Sequence, residues 1–292
     1  MTLALSAWTS HGPTASFVLL WSSGALFAKW GLASASPLAF LLLRFALAFI
    51  VLVALGLARG RLSPAPGTAL RTGLTGALLI AGYSIFYLLA LDAGLTPGVL
   101  ATTLGVQPVL TLLWMERGFP LRRLAGLGLA LAGLVLVVYD SIALSGMAAA
   151  GIGFALACLG CVTTGSILQK RLAQAPMDVL PLQYAVSLVL CGLLLPWQPL
   201  QVEWNAALLL CVAWLGLVIS VVATLLLYRL IQAGDLVNVT SLFYLVPVGT
   251  AALDWLVLGN RLAPLALAGM AAIVLGLVLV LRPAAAALNA KA

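Results

Sequence analysis

Residues 22–29 read SSGALFAK and residues 163–170 read TTGSILQK, so a similar octet occurs twice, 141 residues apart. Each copy lies inside a long apolar stretch, and each ends in a lysine, a residue that is costly inside a bilayer. Two similar octets at this distance indicate that one helix is used twice in the fold. The lysine is either an anchor at the membrane surface or a functional group.

The composition predicts that lipid covers most of the surface. Of the 292 residues, 64% are hydrophobic and only 7% are charged, whereas a soluble domain carries about 25% charged residues. The chain is therefore predicted to be an integral membrane protein. The net charge of +7 is dispersed, with no basic patch and interleaved aromatic residues, so nucleic acid is not an expected partner. A single histidine and four cysteines in apolar runs assemble no metal set, and we expect no cofactor.

Ten apolar segments are long enough to span a membrane as helices. Unbroken apolarity without period-two alternation favours helices over a barrel, and turn signals separate the segments. The tails 1–13 and 283–292 lie outside them. The predicted limits are 14–33, 37–58, 69–91, 96–115, 120–139, 148–170, 177–196, 206–230, 236–258 and 263–282.

Lysine and arginine predict the orientation of these spans. Basic residues are concentrated in the loops on the side that holds both termini, whereas the other side keeps only Arg261. The positive-inside rule therefore places both termini in the cytoplasm of a bacterial-type inner membrane. The basic side carries Arg59, Arg61, Arg71, Arg117, Arg122, Arg123, Lys170, Arg171, Arg229, Arg282 and Lys291.

The repeat extends over the whole chain and predicts two halves, 14–140 and 148–282. Five spans per half is an odd number, so the second half must enter the membrane from the opposite side. Such an inverted repeat is the architecture of alternating-access carriers. Paired features recur 139 to 143 residues apart at Ala93-Gly94 and Ala233-Gly234, at Pro108 and Pro247, and at Gly126, Gly133, Gly269 and Gly276.

As a set, these motifs resemble the drug/metabolite transporter superfamily, EamA family, most closely its aromatic amino-acid exporters of the YddG type. The resemblance covers the whole chain and implies ten helices in two inverted five-helix repeats, with gating by the hairpins of helices three–four and eight–nine. Two positions differ from the common family pattern, Ser22 in place of glycine and Asn260 in place of glutamate. The motifs are Trp21 with the small residues that follow it, Lys29, Pro37, Arg44-Phe45, Pro108, Pro247 and the glycine-rich closing helices.

Polar and aromatic residues inside the spans are the candidates for a central cavity, since lipid-facing positions tolerate few of them. Tyrosines at i, i+4 spacing lie on one helix face. The alternative is that the small polar residues only let helices approach closely. The candidates are Trp21, Ser22, Ser23, Tyr83, Tyr87, Thr102, Thr103, Gln107, Thr163, Thr164, Thr224, Tyr228, Ser241 and Tyr244.

Two prolines and three charged residues are candidates for moving parts. Pro108 and Pro247 each remove a backbone donor inside a helix and are predicted to bend it; static kinks are the alternative. Lys29, Arg44 and Asp92 are predicted to form a charge network or gate in the outer half of the cavity. The alternative for Lys29 is that it snorkels to the surface, as expected for its counterpart Lys170.

These features predict a carrier rather than an enzyme, because a catalytic base or a pair of mid-span carboxylates is missing from the spans. The expected function is export of small metabolites, above all aromatic or large apolar amino acids, by alternating access. The expected partners are a small-molecule substrate and the lipid bilayer, with a monomer as the working assumption. The alternatives are an exchanger of phosphorylated or other anionic metabolites, or a drug/proton antiporter.

Overall fold

The computed structural model describes residues 2–116, 121–137, 139, 149–198, 200–249, 252 and 264–281, and these are almost entirely helical. The predicted tail 283–292 and the ends of several predicted spans lie outside these residues. The helices are α1 (Thr2–Leu32), α2 (Pro37–Ala58), α3 (Ala69–Asp92), α4 (Pro97–Leu104 and Gln107–Met115), α5 (Leu121–Val137), α6 (Ala149–Leu172), α7 (Pro176–Leu193), α8 (Ala206–Ala233), α9 (Leu236–Gly249) and α10 (Pro264–Leu281).

Six of these helices, α2, α3, α6, α7, α8 and α10, have the length and apolarity that a membrane crossing requires, and shorter apolar helices accompany them. The chain is thus a multi-pass helical membrane protein in the part that the structure describes. The helix α1 differs from its prediction: it begins at Thr2 rather than near residue 14, and Pro13 lies inside it. A proline is tolerated in membrane helices because neighbouring groups can satisfy the carbonyl that it frees.

Two helices lose regular α geometry in the turn that precedes a proline. The helix α4 is interrupted at Gly105 and Val106, within one turn before Pro108, and α9 tightens to a 3₁₀ turn over Leu242–Tyr244, before Pro247. The proline ring clashes with the carbonyl four residues earlier, so the irregular turn is where the backbone relieves that clash. The two irregular turns also contact each other, because the Tyr244 hydroxyl donates to the Gly105 carbonyl at 2.6 Å.

A second irregularity occurs at corresponding positions in α3 and α8. Each helix widens to π geometry at its centre, over Ala77–Gly82 in α3 and over Trp214–Ala223 in α8. The wider turn shifts the hydrogen-bond ladder from i, i+4 to i, i+5, and such turns frequently lie at functional sites. Nothing in the hydrophobic pattern of either stretch signals the change.

The closing helices α5 and α10 pack against each other through their glycines. A Cβ atom at Gly126 would lie 2.7 Å from the carbonyl oxygen of Gly276, and one at Gly133 would lie 2.6 Å from that of Gly269. The order of these contacts shows that the helices are antiparallel. Glycines allow this approach because no side chain separates the two backbones.

Hydrogen bonds connect the loops at the two ends of the bundle in different combinations. At one end, the α1–α2 loop pairs with the α7–α8 loop, through an antiparallel bridge of Ala35 with Val202 and a bond from the Ser36 amide to the Gln201 carbonyl at 2.9 Å. At the other, the α2–α3 loop pairs with the α6–α7 loop, where the Gln174 amide nitrogen donates to the Thr68 hydroxyl at 3.0 Å. We call the second the basic end, since it carries Arg123 and Lys170.

Candidate functional site

A cavity lies between helices that come from both predicted halves. Its volume is about 30 Å³, room for one or two waters, so an amino-acid-sized solute would need the surrounding helices to separate. The wall is mainly aromatic and aliphatic with a few hydroxyls. The lining residues are Trp21, Arg44, Leu79, Ile80, Tyr83, Ser84, Val162, Ser166, Tyr184, Thr224, Leu227, Tyr228 and Phe243.

Several lining residues are counterparts in the repeat, separated by 140 or 141 positions. Trp21 corresponds to Val162, and Ser84 corresponds to Thr224. Arg44 of α2 corresponds to Tyr184 of α7, so the equivalent positions carry a cation on one side and a phenol on the other. The cavity therefore has symmetric walls but an asymmetric charge.

The π segment of α8 holds Arg44 and Tyr184 in place. Arg44 Nε donates to the Ser220 hydroxyl at 2.8 Å, and the Tyr184 hydroxyl donates to the Ser220 carbonyl at 2.8 Å. In π geometry a carbonyl can lose its usual partner one turn ahead, which leaves it free to accept from a side chain. The irregular turn thus accounts for the bond of Tyr184 to α8.

An aromatic cluster joins α1 to α9 beside the cavity. Phe17, Trp21 and Phe243 lie with ring centroids 5.1 to 5.5 Å apart, and the two contacts of Phe243 are edge-to-face. Such pairs contribute about 0.5–1.5 kcal/mol in addition to the free energy gained by burying their surface.

Two tyrosines of the cavity wall are bonded through their hydroxyls. The Tyr228 hydroxyl, on α8, donates to Gln183 Oε1 at 2.7 Å. The polar ends of Tyr228 and Tyr184 are therefore both bonded to the protein.

Four of the predicted cavity residues, Trp21, Tyr83, Thr224 and Tyr228, line the cavity together with Arg44. Other predicted residues pack within a helix or between helices instead. Tyr87 packs on Tyr83 with ring centroids 5.8 Å apart, the buried Gln107 donates to Ser166 at 3.3 Å, and Tyr244 is bonded to the backbone of α4. These side chains shape the helices around the cavity without lining it.

The small hydroxyl residues mostly bond to backbone carbonyls. Ser22 donates to Val18 and to Val246 of α9, and Ser23 accepts from the Trp214 indole at 2.9 Å. Within their own helices, Thr103 donates to Val99 and Ser241 donates to Val237. The predicted residues Thr102, half-buried, and Thr163, buried, likewise do not line the cavity.

Thr164 was predicted to line the cavity, but it is exposed on the outer face of α6, with the exposed Gly160 one turn before it. Adjacent helical residues point about 100° apart, so Thr163 and Thr164 cannot both face inward. The predicted charge network is also not formed. Lys29 and Asp92 are exposed, neither lines the cavity, and no ion pair joins either of them to Arg44 among the described residues.

A charge network does form at the basic end, which the sequence did not predict. Arg123 of α5 binds Glu116 after α4, Asp235 before α9 at 2.8 Å and Asn238 at 2.9 Å. Burial alone would raise the pKa of Asp235, but its bonds from Arg123 and from the backbone amides of Asn238 and Val237 lower the pKa below its usual value. We call this group the Arg123 cluster; it joins the α4–α5 loop to the α8–α9 loop.

Lys170 makes a second connection at the basic end. Its ammonium donates to the carbonyls of Gln232 at 2.9 Å and of Gly234 at 2.7 Å, at the C-terminal end of α8. Terminal carbonyls of a helix lack partners in their own helix and carry partial negative charge, so a cation is favourable there. In this structure Lys170 thus bonds to the end of α8, a contact that the sequence analysis did not predict.

The clearest omission of the sequence analysis is Tyr184, whose side chain is 1% exposed at the cavity wall. It is a single tyrosine in α7 with no spaced partner, so helical periodicity did not distinguish it. Its signal was its position in the repeat, 140 residues after Arg44. Ser166 could have been found in the same way, because its position in α6 corresponds to the small-residue run that follows Trp21 in α1.

A family model described as the EamA-like transporter family matches the chain twice, over residues 14–139 and 149–282. The chain belongs to the EamA-like transporter family. A solved structure titled only "Crystal structure of protein" shares the fold of this family member, with a TM-score of 0.77 and 24% identity over 94% of this chain and 96% of its own. No curated protein matches the chain. Membership makes it a membrane transporter of the drug/metabolite type rather than an enzyme.

Proposed function

We propose that this chain is a secondary carrier that exports small metabolites, above all aromatic or large apolar amino acids, by alternating access through the cavity. The observation that carries the proposal is the cavity itself: it lies between helices of both halves, and Trp21, Tyr83, Tyr184, Tyr228 and Phe243 line it. Ring stacking on such a wall favours a ring-bearing or bulky solute over a small one. We also propose that, within the family, the chain belongs to the subgroup of aromatic amino-acid exporters.

Two geometric features support ten spans in two inverted halves. The α1–α2 loop pairs with the α7–α8 loop, whereas its counterpart, the α6–α7 loop, pairs with the α2–α3 loop at the basic end. The equivalent helices α5 and α10 are also antiparallel. Both features are expected when one half is the other turned over. With the positive-inside rule, the basic end is proposed to face the cytoplasm, together with both termini, in a bacterial-type inner membrane.

The irregular turns before Pro108 and Pro247 are the proposed bending points. They lie at corresponding positions in α4 and α9, and such turns can change angle at a smaller cost than a continuous helix. The cavity has room for one or two waters in this structure. Movement of α4 and α9 is the proposed route by which it opens to either side.

The cavity wall weighs against the two alternatives. A drug/proton antiporter needs an acid that binds a cation and a proton in turn, and no carboxylate lines the cavity among the residues that the structure describes. A phosphate exchanger needs several cations around one anion, and Arg44 is the single cation in the described wall. A carrier for solutes with at most one negative charge fits this wall better.

The test is transport of labelled phenylalanine by the full chain in lipid vesicles, with unlabelled phenylalanine, leucine and alanine as competitors. We expect phenylalanine and leucine to compete and alanine to have little effect. Tyr83→Leu should weaken competition by phenylalanine, whereas Trp114→Leu is the matched control, since Trp114 is 70% exposed on the outer surface. Equal competition by alanine and phenylalanine would refute the aromatic cavity, and a second series with an imposed pH gradient would detect proton coupling.

A further inference from the structure

Arg44 is held at the cavity wall by one of its five N–H donors. It lies two turns into α2, which begins at Pro37, and its Nε donates to Ser220. Arg44 is not part of any salt bridge in the described portion of the chain. A guanidinium presents its donors as a planar fork, and the edge formed by its two terminal nitrogens matches a carboxylate. Because Nε is bonded to Ser220, the two terminal nitrogens are the part of the guanidinium that is left for a ligand.

The charge balance of the cavity is incomplete without an anion. A cation inside a bilayer costs about 2.5–3.5 kcal/mol on insertion scales, so such residues pair with an opposite charge or mark a substrate path. The described carboxylates lie at helix ends or in loops, for example Asp92, Asp178 and Asp235, and none lines the cavity. The polar residues of the wall around Arg44 are phenols and hydroxyls, which donate and accept hydrogen bonds but carry no charge at neutral pH.

We infer that Arg44 binds the carboxylate of the transported solute, and that the amine of an amino acid is not required for recognition. This inference rests on the proposed function, because it assigns a substrate group to the same cavity. The substrate class is a ring-bearing or large apolar monocarboxylate, of which an aromatic amino acid is the zwitterionic member. A monoanion neutralises the single cation of the described wall, whereas an aromatic amine adds a second positive charge.

The surroundings of Arg44 provide the rest of this recognition. Ser220 holds the guanidinium at the cavity wall, and the paired rings of Trp21 and Phe243 line the same cavity. A solute with a carboxylate at one end and a ring at the other therefore meets an ionic partner and an apolar partner at once. Because Arg44 is already held in place, binding loses less side-chain entropy, and its free-energy cost is lower.

The experiment compares three solutes that share a ring and a short chain but differ in charge: 3-phenylpropionate, phenylalanine and 2-phenylethylamine. Each is tested in vesicles as a competitor of labelled phenylalanine transport by the full chain, with protein-free vesicles as the blank. We expect 3-phenylpropionate to compete at least as well as phenylalanine, and 2-phenylethylamine to compete at least about tenfold more weakly.

Substitutions at Arg44 then test whether this residue causes the preference. Arg44→Gln should reduce competition by 3-phenylpropionate roughly 10- to 100-fold and that by 2-phenylethylamine little, whereas Arg44→Lys should retain part of the preference. Tyr83→Leu is the control, because it should weaken competition by all three ring-bearing solutes to the same extent. The wild-type comparison needs no variant, so it remains decisive if Arg44→Gln does not fold.

The outcomes separate this inference from the proposed function. If none of the three solutes competes and phenylalanine is not transported, the proposed function fails. If phenylalanine is transported and 2-phenylethylamine competes as well as 3-phenylpropionate, the carrier stands and the role of Arg44 is refuted. A folded Arg44→Gln variant that keeps the wild-type preference refutes it as well.

Discussion

Two sets of corresponding residues in the repeat behave in opposite ways. The glycines of α5 and α10 meet each other, Gly126 against Gly276 and Gly133 against Gly269. The lysines that end the two octets do not: Lys29 is exposed, and Lys170 is bonded to the end of α8. The glycines lie where the two halves touch, whereas the lysines lie at opposite ends of the bundle with different neighbours.

The difference teaches when a role can be transferred from one half to the other. A residue at the contact between equivalent helices faces the helix that corresponds to its own, so both copies have the same function. A residue away from that contact faces a helix that its counterpart never meets. Ser23 and Thr164 are an example, because they are counterparts, yet Ser23 accepts from Trp214 while Thr164 is exposed.

The largest effect should come from filling the glycine contact between α5 and α10. In Gly133→Ala the new methyl group would lie 2.6 Å from the carbonyl oxygen of Gly269, so the helices must separate. We expect a loss of about 1–3 kcal/mol in the free energy of unfolding, as overpacking causes in other cores. Thermal unfolding of the purified chain in detergent measures it.

The matched control lies on the same helix. A Cβ atom at Gly128 would have no heavy atom within 4 Å, so Gly128→Ala replaces a poor helix former without any clash and should stabilise the chain by up to about 1 kcal/mol. Equal melting temperatures for the two variants would show that α5 and α10 are not in close contact in solution.

The sequence predicted the helices clearly but only part of the cavity wall, and the reason for the difference is physical. Span limits depend on local apolarity and on turn residues, both of which are visible in sequence, and α2 runs from Pro37 to Ala58 as predicted. A cavity wall depends on which faces of distant helices meet. Nothing local distinguishes Tyr184 at the wall from Tyr244, which is bonded to the α4 backbone. The π segment of α8, which bonds Arg44 and Tyr184, also has no periodic signal.

A medium effect should distinguish the two lysines. Lys170→Ala removes two bonds to the terminal carbonyls of α8, and each bond to a charged group is worth about 1.5–3 kcal/mol when buried and less when partly exposed. We expect a loss of about 1–2 kcal/mol, whereas Lys29→Ala, at an exposed position, should stay within about 0.5 kcal/mol. Both are measured by thermal unfolding.

Transport assays sharpen the comparison of the lysines. Since Lys29 does not line the cavity, Lys29→Ala should transport at the wild-type rate, and Lys170→Ala should be the slower of the two variants. The opposite order would mean that Lys29 reaches the substrate path in another state of the carrier, and that the exposed position in this structure is only one of its environments.

The smallest effect concerns two N-caps that correspond in the repeat but differ in charge. Thr96 accepts from the Val99 amide at the start of α4, and Asp235 accepts from the Asn238 amide at the start of α9. Both residues cap a helix, but only Asp235 also binds Arg123. Asp235→Thr should therefore keep the cap and remove the ion pair, at a cost below about 1 kcal/mol at neutral pH, because the carboxylate is partly exposed.

The pH dependence identifies which of these two roles Asp235 performs. The bonds to Asp235 lower its pKa in the folded chain, so its contribution is complete above the unfolded value of about 3.9 and is lost as the pH falls through the lower folded value. The wild-type melting temperature should therefore fall more steeply with acidification than that of Asp235→Thr, and the two should converge at the lowest pH at which the chain stays folded. Parallel curves would mean that the Arg123 cluster does not depend on the charge of Asp235. In that case Thr96 and Asp235 would be equivalent caps, like the glycines of α5 and α10, rather than counterparts that have diverged.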